Sequence, residues 1–356
     1  MSIKWVLKED SIVSPKFDLM AVGGASVILL LALVFIILWQ QSLGLSTAGA
    51  VNFSDIILLQ VLLNWPHFII SYRLLYRRKA HFKLYPAATV YIPSVLGFAC
   101  FLAWYFREST SFTAVNSQLG YYFWLVAALY LAWHYTGQAW GMMMTYARMS
   151  SVQFEKRQLL ILRNCLRVLV LWHVIWGLQG LPVNDYIKIL QAPASQSLVN
   201  ILALAAFAIG SKVLWQAAVK NGFMEIRIIV VWLSIFVWYL ALYIEPGLYV
   251  VIQLAHSAQY LTIALRYDYN QNQQLEGHSA GSNKPLLTSV LVYLTSIALG
   301  WGVFWGLNSI IEAPATSLTI VGIIGLAVNV HHYYTDSAIW KLGKQDVRKT
   351  LFSHLH

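Results

Sequence analysis

Asn329-Val330-His331-His332-Tyr333-Tyr334-Thr335-Asp336 lies near the C-terminal end of the last long apolar segment of the chain. Two adjacent imidazoles, followed one helical turn later by a carboxylate, stand among residues that are otherwise lipid-soluble. Ionisable side chains at such a depth are costly and need partners, so by default they mark a functional site. Whether the surroundings are membrane or soluble core therefore decides how the stretch is read.

The surroundings are strongly apolar. Of 356 residues, 59% are hydrophobic and only 11% are charged, and the mean hydropathy is +0.62. A soluble domain carries roughly 25% charged residues. The apolar residues fall into ten segments, at about 20–40, 54–73, 86–106, 119–147, 159–179, 197–217, 226–244, 247–266, 286–308 and 316–340. Each is near the roughly 20 residues that a helix needs to cross the hydrocarbon core. Backbone polar groups in lipid must be satisfied within the segment, so these spans are expected to be helices. The run from Ala21 to Trp39 is too long for a signal-peptide core and reads as a retained first span. Cys100 and Cys165 both fall inside expected spans and read as small core residues rather than a disulfide.

The net charge of +10 is distributed by loop. Lys4, Lys8 and Lys16 precede the first span, and Arg73, Arg77, Arg78, Lys79 and Lys83 follow the second. Arg148, Lys156 and Arg157 follow the fourth, Lys212, Lys220 and Arg227 the sixth, and Lys341, Lys344, Arg348 and Lys349 the last. The intervening loops are poor in Lys and Arg. Such alternation gives the orientation: an all-α, polytopic membrane helix bundle of about ten spans, with both termini cytoplasmic. A bacterial inner membrane or its equivalent suits this pattern, and no nucleic-acid partner is required to explain the charge. The chain is expected to form a single integral-membrane domain over 1–356, with 267–285, rich in Asn, Gln, Gly and Ser, as a flexible cytoplasmic loop.

Four of the spans carry polar stripes at helical spacing. They are Gln60, Asn64, His67 and Ser71; His134 and Gln138; Gln253, His256, Ser257 and Tyr260, with Gln259 close by; and Asn329, His332 and Asp336, with His331 about 100° around the helix. All four helices are even-numbered and run in the same direction, which sets their histidines at similar depth. A lone membrane histidine is commonly a packing residue, and His173 between Trp172 and Trp176 is read so; His81, His278, His354 and His356 are read as solvated. The set His67, His134, His256, His331 and His332 is read as metal-ligating. Imidazole suits iron, zinc, copper or nickel, and ligating imidazoles usually donate their second nitrogen to a carboxylate, amide or carbonyl. Asn64, Gln138, Gln259, Asn329 and Asp336 are spaced for that task, with Asp336 also a candidate ligand. Tyr135, Tyr260 and Tyr333 are expected to shape the pocket or donate hydrogen bonds. The absence of sulfur from the set argues against a structural zinc site. A histidine-rich site in lipid favours mononuclear or dinuclear non-haem iron over zinc or copper.

At Pro66-His67 and the separated His134, His256 and His331/His332, the chain resembles the multi-histidine integral-membrane non-haem iron oxygenases, and within them the Brp/Blh-type carotenoid-cleaving dioxygenases. That resemblance implies a polytopic fold, one iron held by histidines from separate helices, and oxidative cleavage of a carotenoid. No two histidines are three or four residues apart, so the histidine boxes of membrane desaturases are absent. The expectation is a membrane oxidoreductase using iron and O2 on a lipophilic substrate (a lipid, isoprenoid or carotenoid) with membrane lipids as its surroundings. Two rivals stand beside it: a transporter or proton-coupled carrier relaying protons through histidine, and a non-catalytic assembly protein whose polar stripes join helices.

Overall fold

The computed structural model describes residues 3–45, 57–105, 110–180, 185, 187–275, 284–306 and 316–355. These residues are helical almost throughout. In chain order, a short strand β1 (Lys4–Val6) precedes α1 (Pro15–Leu19), a π turn (Met20–Gly24) and α2 (Ala25–Ser42). Next, α3 (Ile57–Leu59) passes through a π turn (Gln60–Asn64) into α4 (Trp65–Tyr76), and α5 (Ala80–Leu84) is followed by a π turn (Ala87–Tyr91) and α6 (Ile92–Tyr105). Long helices follow: α7 (Thr110–Met149), α8 (Lys156–Gln179) and α9 (Pro193–Asn221). Then come β2 (Phe223–Glu225), α10 (Ile226–Ile244), α11 (Tyr249–Leu275), α12 (Lys284–Trp301), which runs into a π turn (Gly302–Gly306), α13 (Thr316–Ile339) and α14 (Gln345–Leu351).

The protein is an all-α membrane protein. Among the described residues, six helices are long and apolar enough to cross a membrane: Pro15–Ser42, Lys156–Gln179, Pro193–Asn221, Ile226–Ile244, Pro246–Gln274 and Lys284–Trp305. The other four expected spans are helical wherever they are described. Three of those four carry polar stripes, which lower their hydropathy.

The chain divides into two compact units, one formed by Met1–Ile57 with Ala132–Thr262, the other by Leu58–Leu131 with Ile263–His356. In the first unit, α8 packs on α9 and α10 packs on α2. The strands β1 and β2 pair in parallel, with Lys4 opposite Phe223 and Val6 opposite Glu225. This pairing draws the polar N-terminal segment onto a buried ionic cluster. Asp18, Glu225 and Arg227 are each 0% exposed. Arg227 Nε donates to Glu225 at 2.9 Å, its Nη1 lies 3.5 Å from Asp18, and its Nη2 donates to the Lys8 carbonyl at 3.0 Å. Asp18 also accepts from the backbone of Ile12 and Val13, and Glu225 from that of Lys8. The guanidinium stacks 4.7 Å from the ring centre of the buried Tyr146. Carboxylates so buried are tolerated only when their lone pairs are filled in this way.

In the second unit, α12 packs along α4, and α13 packs on α4 and α6. Two prolines explain the local geometry. Proline has no N–H, so it leaves the carbonyl four residues back without a donor. In a membrane helix such a carbonyl must be served from elsewhere, often beside a π adjustment. Pro66 leaves the Leu62 carbonyl, which accepts the Tyr293 hydroxyl of α12. Pro93 leaves the Thr89 carbonyl, which accepts the Tyr76 hydroxyl at 3.2 Å, and in the adjacent π turn the Ala88 carbonyl accepts His331 Nε2 at 2.7 Å. Both π turns lie within the five residues or so ahead of their proline.

Gly300 is where α12 meets α4. A Cβ there would lie 2.8 Å from Trp65 Cβ and 3.2 Å from the Trp65 carbonyl carbon. The neighbour is backbone, which cannot swing aside. Gly300→Ala is expected to lower the thermal midpoint of the detergent-solubilised protein, at a cost of about 1–3 kcal/mol from overpacking. An unchanged midpoint would show that α12 and α4 are not in close contact.

The segment expected to be a flexible loop over 267–285 is different. α11 continues to Leu275, and Asp268, Asn270, Gln271 and Asn272 are buried. Residues 276–283 lie outside the described residues. The polar composition of 267–275 reflects partners rather than solvent. Arg77 Nη1 donates to Asp268 at 2.9 Å and to Gln271 at 3.2 Å, and Arg77 Nη2 donates to Asn272 at 2.8 Å. Asn270 Nδ2 caps the carbonyls of Thr350 and Leu351 at the end of α14 and meets His354 Nδ1 at 3.1 Å. His354, read as solvated, is thus part of that cap.

Candidate metal centre

Every histidine of the expected set is buried. In the second unit, α4 and α13 carry His67 and His332, whose rings meet edge to face with centroids 4.7 Å apart. His332 Nε2 lies 3.5 Å from an Asp336 carboxylate oxygen one turn along α13. Ring nitrogens of His67 and His332 lie within 4.8 Å of each other. Two further contacts hold the group. The Ser71 hydroxyl donates to the other Asp336 oxygen at 3.0 Å and sits 3.1 Å from the His67 carbonyl, which ties α4 to α13. His67 Nδ1 bonds to the Asn64 carbonyl in the π turn, which directs Nε2 away from its own backbone. Phe68 flanks His67 at 4.1 Å and His332 at 4.7 Å, between ring centroids. Two imidazoles and a carboxylate in apolar, aromatic surroundings offer a mixed nitrogen and oxygen donor set.

In the first unit, α7 and α11 carry His134 and His256. Their Nε2 atoms are 3.0 Å apart, so one ring donates and the other accepts. Tyr135 lies 4.6 Å from the His256 ring and edge-on to Trp238 at 6.0 Å, between centroids. Gln138 Nε2 donates to the His256 backbone carbonyl at 3.0 Å and to Gln259 Oε1 at 2.9 Å. Gln259 Nε2 in turn donates to the Val22 carbonyl in the first π turn. Tyr260 is buried on the same helix.

Several expected roles are corrected by these contacts. His331, expected among the ligands, turns the other way: its Nε2 is held by the Ala88 carbonyl and its ring stacks on Tyr72 at 5.1 Å. The 100° step between successive helical residues separates the doublet, so one member enters the cluster and the other braces α13. Asn329, expected to orient a ligand, donates to the Gly325 carbonyl at 2.7 Å and accepts from the Tyr333 hydroxyl at 2.9 Å, both within α13. Tyr333 is therefore engaged with Asn329, although its ring still lies 5.6 Å from His332. Gln138 and Gln259 bond to backbone and to each other rather than to an imidazole nitrogen. For Asn64 it is the main-chain carbonyl that meets His67. His173 is buried against Trp176 and Tyr239, in keeping with a packing role.

Tyr72 and Tyr293 were not singled out from the sequence. Tyr72 donates to the Val328 carbonyl at 2.8 Å while stacking on His331. The signal for Tyr293 was the proline itself, since Pro66 requires an outside donor for Leu62. Removing that donor with Tyr293→Phe is expected to cost about 1–3 kcal/mol, the penalty of an unserved buried carbonyl. Denaturant titration checks it, and wild-type stability would show the carbonyl has another donor.

No family model, curated protein or solved structure matches this chain.

Proposed function

We propose that this protein is an iron-dependent membrane oxidoreductase that uses O2 on a lipophilic substrate, a lipid, isoprenoid or carotenoid. In this reading it has ten spans, both termini in the cytoplasm, and a bacterial inner membrane or equivalent as its setting. One observation carries it: within the second unit, His332 adjoins both His67 and Asp336, all three buried. Two histidines and one carboxylate are the donor set that non-haem iron oxygenases use with positions left open. The residues fit such an ion in donor chemistry, and two of the three donors have a support, with Ser71 on Asp336 and the Asn64 carbonyl on His67. Iron held there would supply the binding and activation of oxygen.

The remaining work falls to the chain. Ser71 keeps the Asp336 carboxylate turned toward α4, and the Asn64 carbonyl selects the His67 tautomer with the proton on Nδ1, leaving Nε2 as the donor atom. Phe68 excludes water from both rings. The likeness of Pro66-His67 and the dispersed histidines to the carotenoid-cleaving family supports an extended apolar substrate. His134 and His256 in the first unit are the second imidazole set, and iron stoichiometry reads whether one ion or two are bound.

Metal content measured by mass spectrometry on detergent-purified protein tests the assignment. Wild type should carry stoichiometric iron, and His67→Ala should lower it. Folded wild-type protein free of metal would overturn it.

A second reading has its own observation. The His134 Nε2 and His256 Nε2 atoms lie 3.0 Å apart, within the hydrogen-bond distance that a proton relay needs. Reconstituted in liposomes, a carrier would show proton flux abolished by His256→Ala with no metal present.

A further inference from the structure

In the second unit, the turn between α4 and α5 and the segment after α13 bring cations together with no counter-charge among the described residues. Lys344 Nζ donates to the Tyr85 hydroxyl at 2.6 Å and stands 4.2 Å from the centre of that ring. His81 faces the same ring edge-on at 5.2 Å and is held through Nδ1 by the Leu75 carbonyl at 2.8 Å. The His81 backbone N–H donates to the Arg78 carbonyl at 2.9 Å, so Arg78 borders the imidazole that meets the Tyr85 ring, and both Arg78 and Lys344 act on that imidazole electrostatically. Burial first, and then these cations, hold His81 below the ordinary imidazole value against the pull of the Leu75 carbonyl.

Among the described residues, no carboxylate lies within ion-pair distance of Arg78, Lys79, Lys83 or Lys344. The buried carboxylate of this region, Asp268, is committed to Arg73 and Arg77. Asp346, on the first turn of α14, pairs with none of them. Phe82 and Leu84 flank Lys83 on α5 and are 44% and 64% exposed.

We propose that this patch binds the phosphate headgroup of an anionic membrane phospholipid, with Lys344, Arg78 and the Tyr85 hydroxyl around the phosphate and Phe82 and Leu84 against the acyl chains. A phosphate anion supplies the missing counter-charge and accepts from Lys, Arg and Tyr donors alike. The source is lipid rather than soluble phosphate because exposed apolar side chains stand beside the cations, as at a membrane–water interface. This site is independent of the metal reading.

The test uses the full-length protein in detergent, with lipid retained per protein measured by native mass spectrometry. Phosphatidylglycerol and phosphatidylcholine are added in separate arms, and inorganic phosphate is added as competitor. Affinity for phosphatidylglycerol should fall about fivefold for each cation removed in Arg78→Gln/Lys344→Gln, with phosphatidylcholine binding unchanged. Lys349→Gln, an exposed charge on α14, should leave phosphatidylglycerol affinity as in wild type and shows that the loss is local. An equal loss in Lys349→Gln, no loss in the double variant, or full displacement of the lipid by inorganic phosphate would each overturn the proposal.

Discussion

Arg227→Met should destabilise the protein by about 3–5 kcal/mol, the usual cost of removing one partner from a buried ion pair. The cluster is strict in its accounting. Asp18 and Glu225 bring two carboxylates to a place with 0% exposure, and Arg227 is the cation that meets both. Methionine keeps much of the side-chain volume but leaves two buried carboxylates without their shared cation. It also releases the Lys8 carbonyl, and with it the register of β1 on β2. Adding Asp18→Asn and Glu225→Gln to Arg227→Met should recover part of the loss, because the uncompensated charge is the main penalty. Unfolding in denaturant, followed by tryptophan fluorescence, reads both effects. A single variant as stable as wild type, or a triple variant worse than the single, would mean that the cluster does not hold the N-terminal segment.

That cluster was invisible in the sequence, because Asp18 and Arg227 lie 209 positions apart. Lys, Arg and Asp at the ends of apolar runs read as loop charge, and nothing local distinguishes a buried one. The polar stripes were a different matter. Spacing of three and four residues brings side chains onto one face, so the approach of Asp336 to His332 along α13 follows from helical geometry alone. The approach of Ser71 to Asp336 follows from the same rule applied to two helices, each with one polar face to satisfy. What the stripes did not reveal was the partner on each nitrogen. Amide side chains were expected there, yet main-chain carbonyls of the π turns took that part, at Asn64 for His67 and at Ala88 for His331. Such carbonyls are freed where the helical register slips, and composition does not register a slip. Pro66 and Pro93 were the one legible sign of it. The polarity of 267–275 misled for a related reason, since Asn and Gln look solvated until the half-buried Arg77 that they serve is known.

The adjacent imidazoles of α13 should part company on substitution. His332→Ala removes the residue that stands next to both His67 and Asp336, and iron content should fall below detection. Loss of one of three donors leaves too few for a stable site, and the other two lose their common neighbour. His331→Ala should keep its iron. It removes a hydrogen bond to the Ala88 carbonyl and the stacking on Tyr72, so its cost is stability, about 1–3 kcal/mol for an unserved buried carbonyl. Ser71→Ala falls between the two, since losing the hydroxyl that orients Asp336 should weaken iron binding by about 10–100-fold with the fold intact. Metal content and thermal midpoint, measured on the same preparations, separate the cases. Iron lost equally from both histidine variants would place His331 in the centre as well. Iron kept in His332→Ala would take out of the ligand set the one imidazole that the structure sets beside both His67 and Asp336 among the described residues, and with it the proposed centre.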